Sequence, residues 1–164
     1  MQKIKIFISV GTHTQQFDRL LAEADRIAEK REEIAFFAQI GNSKYVPKNF
    51  KSAKFLEEKD YAKNFLENDI IISHGGAGTI INALTYCKPL IVAPRLKKYG
   101  EHTDDHQLDI AKALEEKGKC IAVLDIKDLG KAIDKSLNKK ASMASEKEGM
   151  IKRIKEFISK EELK

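Results

Sequence analysis

All four histidines of this chain, His13, His74, His102 and His106, fall just after apolar, strand-like runs. Imidazoles titrate near neutrality, so such a grouping suits proton transfer, anion binding or metal ligation. The most informative of the four stands in IIISHGGAGT, residues 70–79. Three β-branched residues end in Ser73-His74, and Gly75, Gly76 and Gly78 follow before Thr79. This reads as a buried strand, a tight turn and a helix N-terminus. Glycines let a ligand approach main-chain N–H groups, and the helix terminus adds unpaired donors and a partial positive charge. The chemistry such a turn suits is the holding of a phosphate or diphosphate. His74 sits where open α/β sheets bind ligands.

Two further segments carry chemistry. Gly11-Thr12-His13 follows the first apolar run, and PRLKKYGEHTDDHQ, residues 94–107, follows another. The second holds acceptors (Glu101, Asp104, Asp105) and groups that both donate and accept (His102, His106, Gln107). Sugar hydroxyls need that mixture. Asp105 also suits a helix N-cap, and Arg95 a phosphate. Rival chemistries fit less well. His102 and His106 straddle a helix start and share no face, no cysteine joins them, and H-E-x-x-H is absent, so no metal site is expected. There is no P-loop Lys-Ser/Thr, and no G-x-G-x-x-G after the first strand. Ser73 and His74 are neighbours on a strand and point to opposite faces, which excludes a nucleophile-base pair.

The elements that must position these residues alternate along the chain. Strands are expected at 4–10, 34–40, 53–56, 69–73, 89–93 and 119–124. Helices are expected at 16–30, 61–66, 77–86, 105–117 and 126–137, with a last amphipathic helix at about 142–159. Strands alternating with helices imply an α/β fold, a Rossmann-like, doubly wound, mostly parallel six-stranded sheet. In that topology the first and fourth strands adjoin at the switch point, so the three loops face one crevice. Residues 1–138 form the Rossmann-like domain, and 139–164 a C-terminal amphipathic helix that packs on it or docks a partner.

The chain has 164 residues, 42% hydrophobic and 34% charged, with a net charge of +5 spread over interleaved signs. This is one ordinary globular domain, and the scattered charge argues against a nucleic-acid interface. No apolar run spans a bilayer, and the N-terminus reads as a strand, not a signal peptide. Cys87 and Cys120 lack metal-ligand spacing and read as free thiols in a reducing cytoplasm.

Together FISVGTH (7–13), ENDIIISHGGAGTIINAL (67–84), KPLIVAPR (88–95) and GEHTDDHQLDIAKALEEKG (100–118) resemble the C-terminal, donor-binding half of glycosyltransferase family 28. A chain with this half alone is similar to PssE-type exopolysaccharide transferase subunits. It is also similar to the catalytic subunit of the two-subunit UDP-GlcNAc transferase of dolichol-linked glycan assembly. The resemblance implies the C-terminal half of a GT-B glycosyltransferase and a UDP-sugar donor. The diphosphate would meet Gly11, Thr12, His13, His74 and the N–H groups from Gly75 through Gly76, Ala77 and Gly78 to Thr79, with Arg95 near. Uracil would sit near Phe55 to Glu58, by Phe55 and Leu56 and mainly against backbone, the ribose by Asn82 where the family often has Glu, and the sugar by Glu101, His102, Asp105, His106 and Gln107. Direct displacement with inversion would need no metal and no cofactor. The general base would lie on a membrane-anchored, acceptor-binding partner, with His13 and Glu101 the candidates in this chain. The protein would then be cytoplasmic and peripheral to the membrane, and its acceptor a lipid-linked saccharide. The alternatives are a non-catalytic UDP-sugar-binding or regulatory subunit and a sugar-nucleotide epimerase.

Overall fold

A computed structural model describes residues 2–140. Six strands, β1 (Ile4–Ser9), β2 (Ile34–Gln39), β3 (Lys51–Ala53), β4 (Ile70–Ser73), β5 (Leu90–Val92) and β6 (Ile121–Ala122), form one sheet in the order β3-β2-β1-β4-β5-β6. Every pairing is parallel. The order reverses between β1 and β4, which pair from Ile6↔Ile70 to Ser9↔Ser73, as expected for a doubly wound sheet. Helices α1 (Asp18–Lys30), α2 (Glu58–Glu67), α3 (Ala77–Thr85) and α4 (His106–Glu116) are joined by α5, residues 129–140.

Strand alternation builds two cores. Ile6, Ile8, Ile70 and Ile72 face α1 and α5, where Leu20, Leu21, Ile27, Leu129 and Ile133 pack on them. Phe7, Ile71 and Val92 face α2, α3 and α4, against Phe65, Ile80, Ala83 and Ala111. Burial on both faces explains why the central strands read as continuous apolar runs.

Boundaries shift for identifiable reasons. The third strand ends at Ala53, earlier than its sequence suggests, because the Leu56 N–H donates to the Gln39 side chain instead of joining the ladder. The sixth strand shrinks to Ile121–Ala122 at the sheet edge. The following helix opens with a 3₁₀ turn, Ile126–Asp128, capped by the Asp125 side chain. The expected helix at 142–159 lies outside the described residues. Among the described residues no helix is long and apolar enough to cross a membrane.

Candidate functional site

A cavity of about 620 Å³ opens at the carboxyl ends of β1 and β4, at the switch point. Gln39, on its lining, stands in a row of polar strand ends. Ser9 pairs in register with Gln39 on one side and Ser73 on the other. Ser9 Oγ lies 2.9 Å from the Tyr61 hydroxyl and 3.3 Å from Thr79 Oγ1, and Tyr61 and Thr79 close the triangle at 2.8 Å. β1, α2 and α3 are thus tied by one ring of hydroxyls.

The glycine turn delivers what its sequence suggests. Gly75 has φ +97°, a conformation that favours glycine, and its N–H donates to Ser73 Oγ at 3.2 Å. Gly76 caps α3 without a side-chain bond, and the N–H groups of Ala77, Gly78 and Thr79 have no hydrogen-bond partner among the described residues. Gly78 and Thr79 line the same cavity as Gly11, whose φ is +75°. Across this cradle lies His74. Its Nδ1 sits 3.1 Å from the Ser9 carbonyl, so Nδ1–H donates there and Nε2 carries the free lone pair. Burial pushes the imidazole pKa down to about 4, and nearby Arg95, His13 and His102 push the same way, so His74 is neutral at pH 7. A Cβ on Gly11 would come 2.6 Å from His74 Cε1, and one on Gly76 would meet His74 Nε2. The two glycines are the space the ring occupies.

His13 lines the cavity and stacks on His102, centroids 4.8 Å apart. Burial and the neighbouring His102 and Arg95 lower its pKa. His102 lies 3.2 Å from Asp104. Neither His102 nor His106 is on the lining: His102 joins His13 and His74 only through its stack on His13, and His106 is exposed and apart from them.

Two buried carboxamides flank the cradle. Gln39 Oε1 accepts from Leu56 N at 2.9 Å, and Gln107 Oε1 from Arg95 N at 3.2 Å. Both line the cavity, with Nε2 free of protein partners among the described residues.

The structure brings Gly11, Thr12, His13, Leu56, His74, Gly76, Gly78, Thr79, Asn82 and Gln107 to the cavity. Other expectations are corrected. Arg95 holds no open phosphate site. It is fully buried, and its guanidinium donates to the carbonyls of Val10 (2.6 Å), Gln15 (2.9 Å), Gln16 (2.9 Å) and Glu101 (3.2 Å). Glu101 is no candidate base or sugar ligand. It is fully buried, takes a two-pronged ion pair from Arg19 at 2.9 and 3.0 Å, and accepts from Leu96 N. Arg95 and Glu101 brace the loops from beneath. Asp105 precedes α4 but its carboxylate accepts from Lys97 N, while Asp104 caps the helix by accepting from His106 N. Phe55 and Ala77 are exposed and off the lining, and Gly75 is buried and also off it. Glu58, the far end of the segment expected near uracil, lines the cavity, and Gln39 and Tyr61 line it unanticipated. A polar residue closing an apolar strand, as in IAFFAQ, is the signal that pointed to Gln39.

The chain is an all-parallel doubly wound domain with a glycine-bounded helix N-terminus at its switch point, the architecture of the C-terminal domains of GT-B glycosyltransferases. It belongs to the family described as the glycosyltransferase family 28 C-terminal domain, which matches residues 5–161. The human UDP-N-acetylglucosamine transferase subunit ALG13 is 33% identical over 123 residues, 69% of this chain and 10% of the human protein. The chain therefore spans about a tenth of that relative's length. Among solved structures, the glycotransferase of kitacinnamycin superposes with a TM-score of 0.64 at 17% identity, over 82% of this chain and 34% of that one. The solution structure of ALG13 does so with a TM-score of 0.53 at 20% identity, over 74% and 78%.

Proposed function

We propose that this chain is the donor-binding, catalytic subunit of an inverting glycosyltransferase. It moves a hexose from a UDP-sugar to a lipid-linked acceptor in glycan or polysaccharide synthesis, with a membrane-anchored partner that holds the acceptor. The observation that carries this reading is the α3 N-terminus with its unpaired N–H groups, where Gly76, Gly78 and Thr79 line the same cavity as Gly11. As the anomeric carbon is attacked, charge builds on the departing diphosphate. Fixed N–H donors and the α3 dipole stabilise that charge without reorganising. Gln107 and His13 lie on the side of the cavity nearest the 94–107 loop, where the sugar would sit. Glu101 is committed to Arg19, so the base that takes the acceptor's proton is assigned to the partner, which keeps the protein at the cytoplasmic membrane face.

Gly78→Val tests this directly. A Cβ at Gly78 meets nothing within 4 Å, so the variant folds, but its side chain enters the cavity. Calorimetric titration of UDP should show affinity reduced at least about tenfold, the loss of one good contact or more. Full affinity in the variant, or no binding of UDP by the natural chain with or without its partner, overturns the reading. A purely regulatory subunit predicts instead that the Gly78→Val complex stays active.

A further inference from the structure

Gln39 closes β2 and is the one polar residue of that strand. It is only 4% exposed, yet it lines the cavity. Its Oε1 is held by the Leu56 N–H at 2.9 Å. A backbone N–H can be met only by the oxygen of a carboxamide, so this contact fixes which way the amide faces. The two N–H donors of Nε2 are left without a protein partner among the described residues, on the cavity side. Nε2 is not shut away from the cavity, so the donor pair is held in place by the Oε1 contact and open to a ligand.

The position of Gln39 says what it would meet. The cradle lies over β1 and β4. Gln39 and Leu56 flank it on the β2–β3 side, and Gln107 flanks it on the β5–α4 side. A nucleoside diphosphate sugar seated with its phosphates in the cradle sends one end each way. The β2–β3 side offers an apolar wall, Leu56, and one locked donor pair. That suits a flat heteroaromatic ring read at its edge better than a sugar bristling with hydroxyls.

We infer that Gln39 reads the nucleobase, donating from Nε2 to a ring carbonyl oxygen, and so selects a pyrimidine with a carbonyl at that edge over one with an amino group there. The inference rests on the nucleotide-sugar reading above. An exocyclic amino group would set donor against donor in a buried place, leaving both unsatisfied.

Titrations of UDP, CDP and inorganic pyrophosphate into the full chain and into Gln39→Met and Gln39→Glu test it. The natural chain should favour UDP over CDP by about tenfold or more, the value of one well-made buried hydrogen bond. Gln39→Met should bring the two nucleotides within about threefold of each other, and Gln39→Glu should favour CDP, since a carboxylate accepts from the amino group. Pyrophosphate, which has no base, should bind all three within about twofold. An unchanged UDP-to-CDP ratio in both variants overturns the inference. So does a parallel loss of all three ligands, which would make Gln39 only a brace for the Leu56 turn. Pyrophosphate binding with no preference for UDP in the natural chain overturns the base assignment and leaves the diphosphate cradle standing. Failure of the natural chain to bind any of the three overturns the nucleotide-sugar reading itself.

Discussion

The contact between His74 and Gly76 can be tested as a pair. Gly76 has φ −73° and ψ 136°, a conformation any residue adopts, so an alanine there carries no backbone strain. Its cost is wholly the collision of the new Cβ with His74 Nε2. The ring has nowhere to go. Gly11 crowds the same edge, and retreat would break the 3.1 Å bond from Nδ1 to the Ser9 carbonyl. Losing that bond costs about 1 kcal/mol. Overpacking the buried site adds about 1–3 kcal/mol. Gly76→Ala should therefore lose about 2–4 kcal/mol, roughly 5–15 °C in Tm for a chain of this size. In a His74→Ala background the same change should cost less than about 0.5 kcal/mol, because the methyl then enters vacated space. The assay is denaturant unfolding of the four members of the cycle, with m-values checked for constancy. Additive effects, within about 0.5 kcal/mol, would show that the ring and the glycine do not compete for this space.

Arg95→Met keeps the volume but removes the donors for four carbonyls. It should cost about 3–5 kcal/mol, and Arg95→Lys should recover less than half, because a point ammonium cannot reproduce the fork. Thermal melts decide, and a lysine variant as stable as the natural chain would refute the clamp. The depressed His74 pKa also sets a pH dependence. Unfolded, the imidazole takes a proton near pH 6.5, whereas folded it stays neutral down to about 4. The unfolded chain binds more protons across that window, so stability falls as pH falls through it and the loss levels off below about 4. The total is about 3 kcal/mol. His74→Gln should lack this loss, seen as unfolding free energies of the two proteins converging between pH 7 and 4.

The central fold was legible because the buried strands say so locally. Ile6–Ile8 and Ile70–Ile72 are apolar on both faces, which in an alternating chain means a parallel sheet covered by helices. The glycine turn was legible because three glycines in four positions follow an apolar run and Gly75 adopts positive φ; that Gly11 and Gly76 leave room for the His74 ring was not. The roles of Arg95 and Glu101 were not. Charged residues in a polar loop look solvated in one dimension, and only the folding of 94–107 back over Val10 and Gln15 buries them. Tyr61 escaped notice for the same reason. It reads as a helix residue facing a core, and its hydroxyl reaches the cavity only because Ser9 and Thr79 come to it from elements 52 and 18 residues away.

The ring of Ser9, Tyr61 and Thr79 hydroxyls has a property that no member has alone. Three protons fill three contacts, so donation circulates in one of two senses, and reversal requires all three hydroxyls to turn together. While the ring is closed it shows a visitor lone pairs and no protons. An oxygen that accepts from Thr79 opens the circle and leaves two protons for its three contacts. One hydrogen bond is exchanged for another at a difference of about 1 kcal/mol or less, so the site can be occupied and vacated with little resistance. A ligand there would thereby redistribute the hydrogen bonds of β1, α2 and α3 together, because their three contacts would then share two protons.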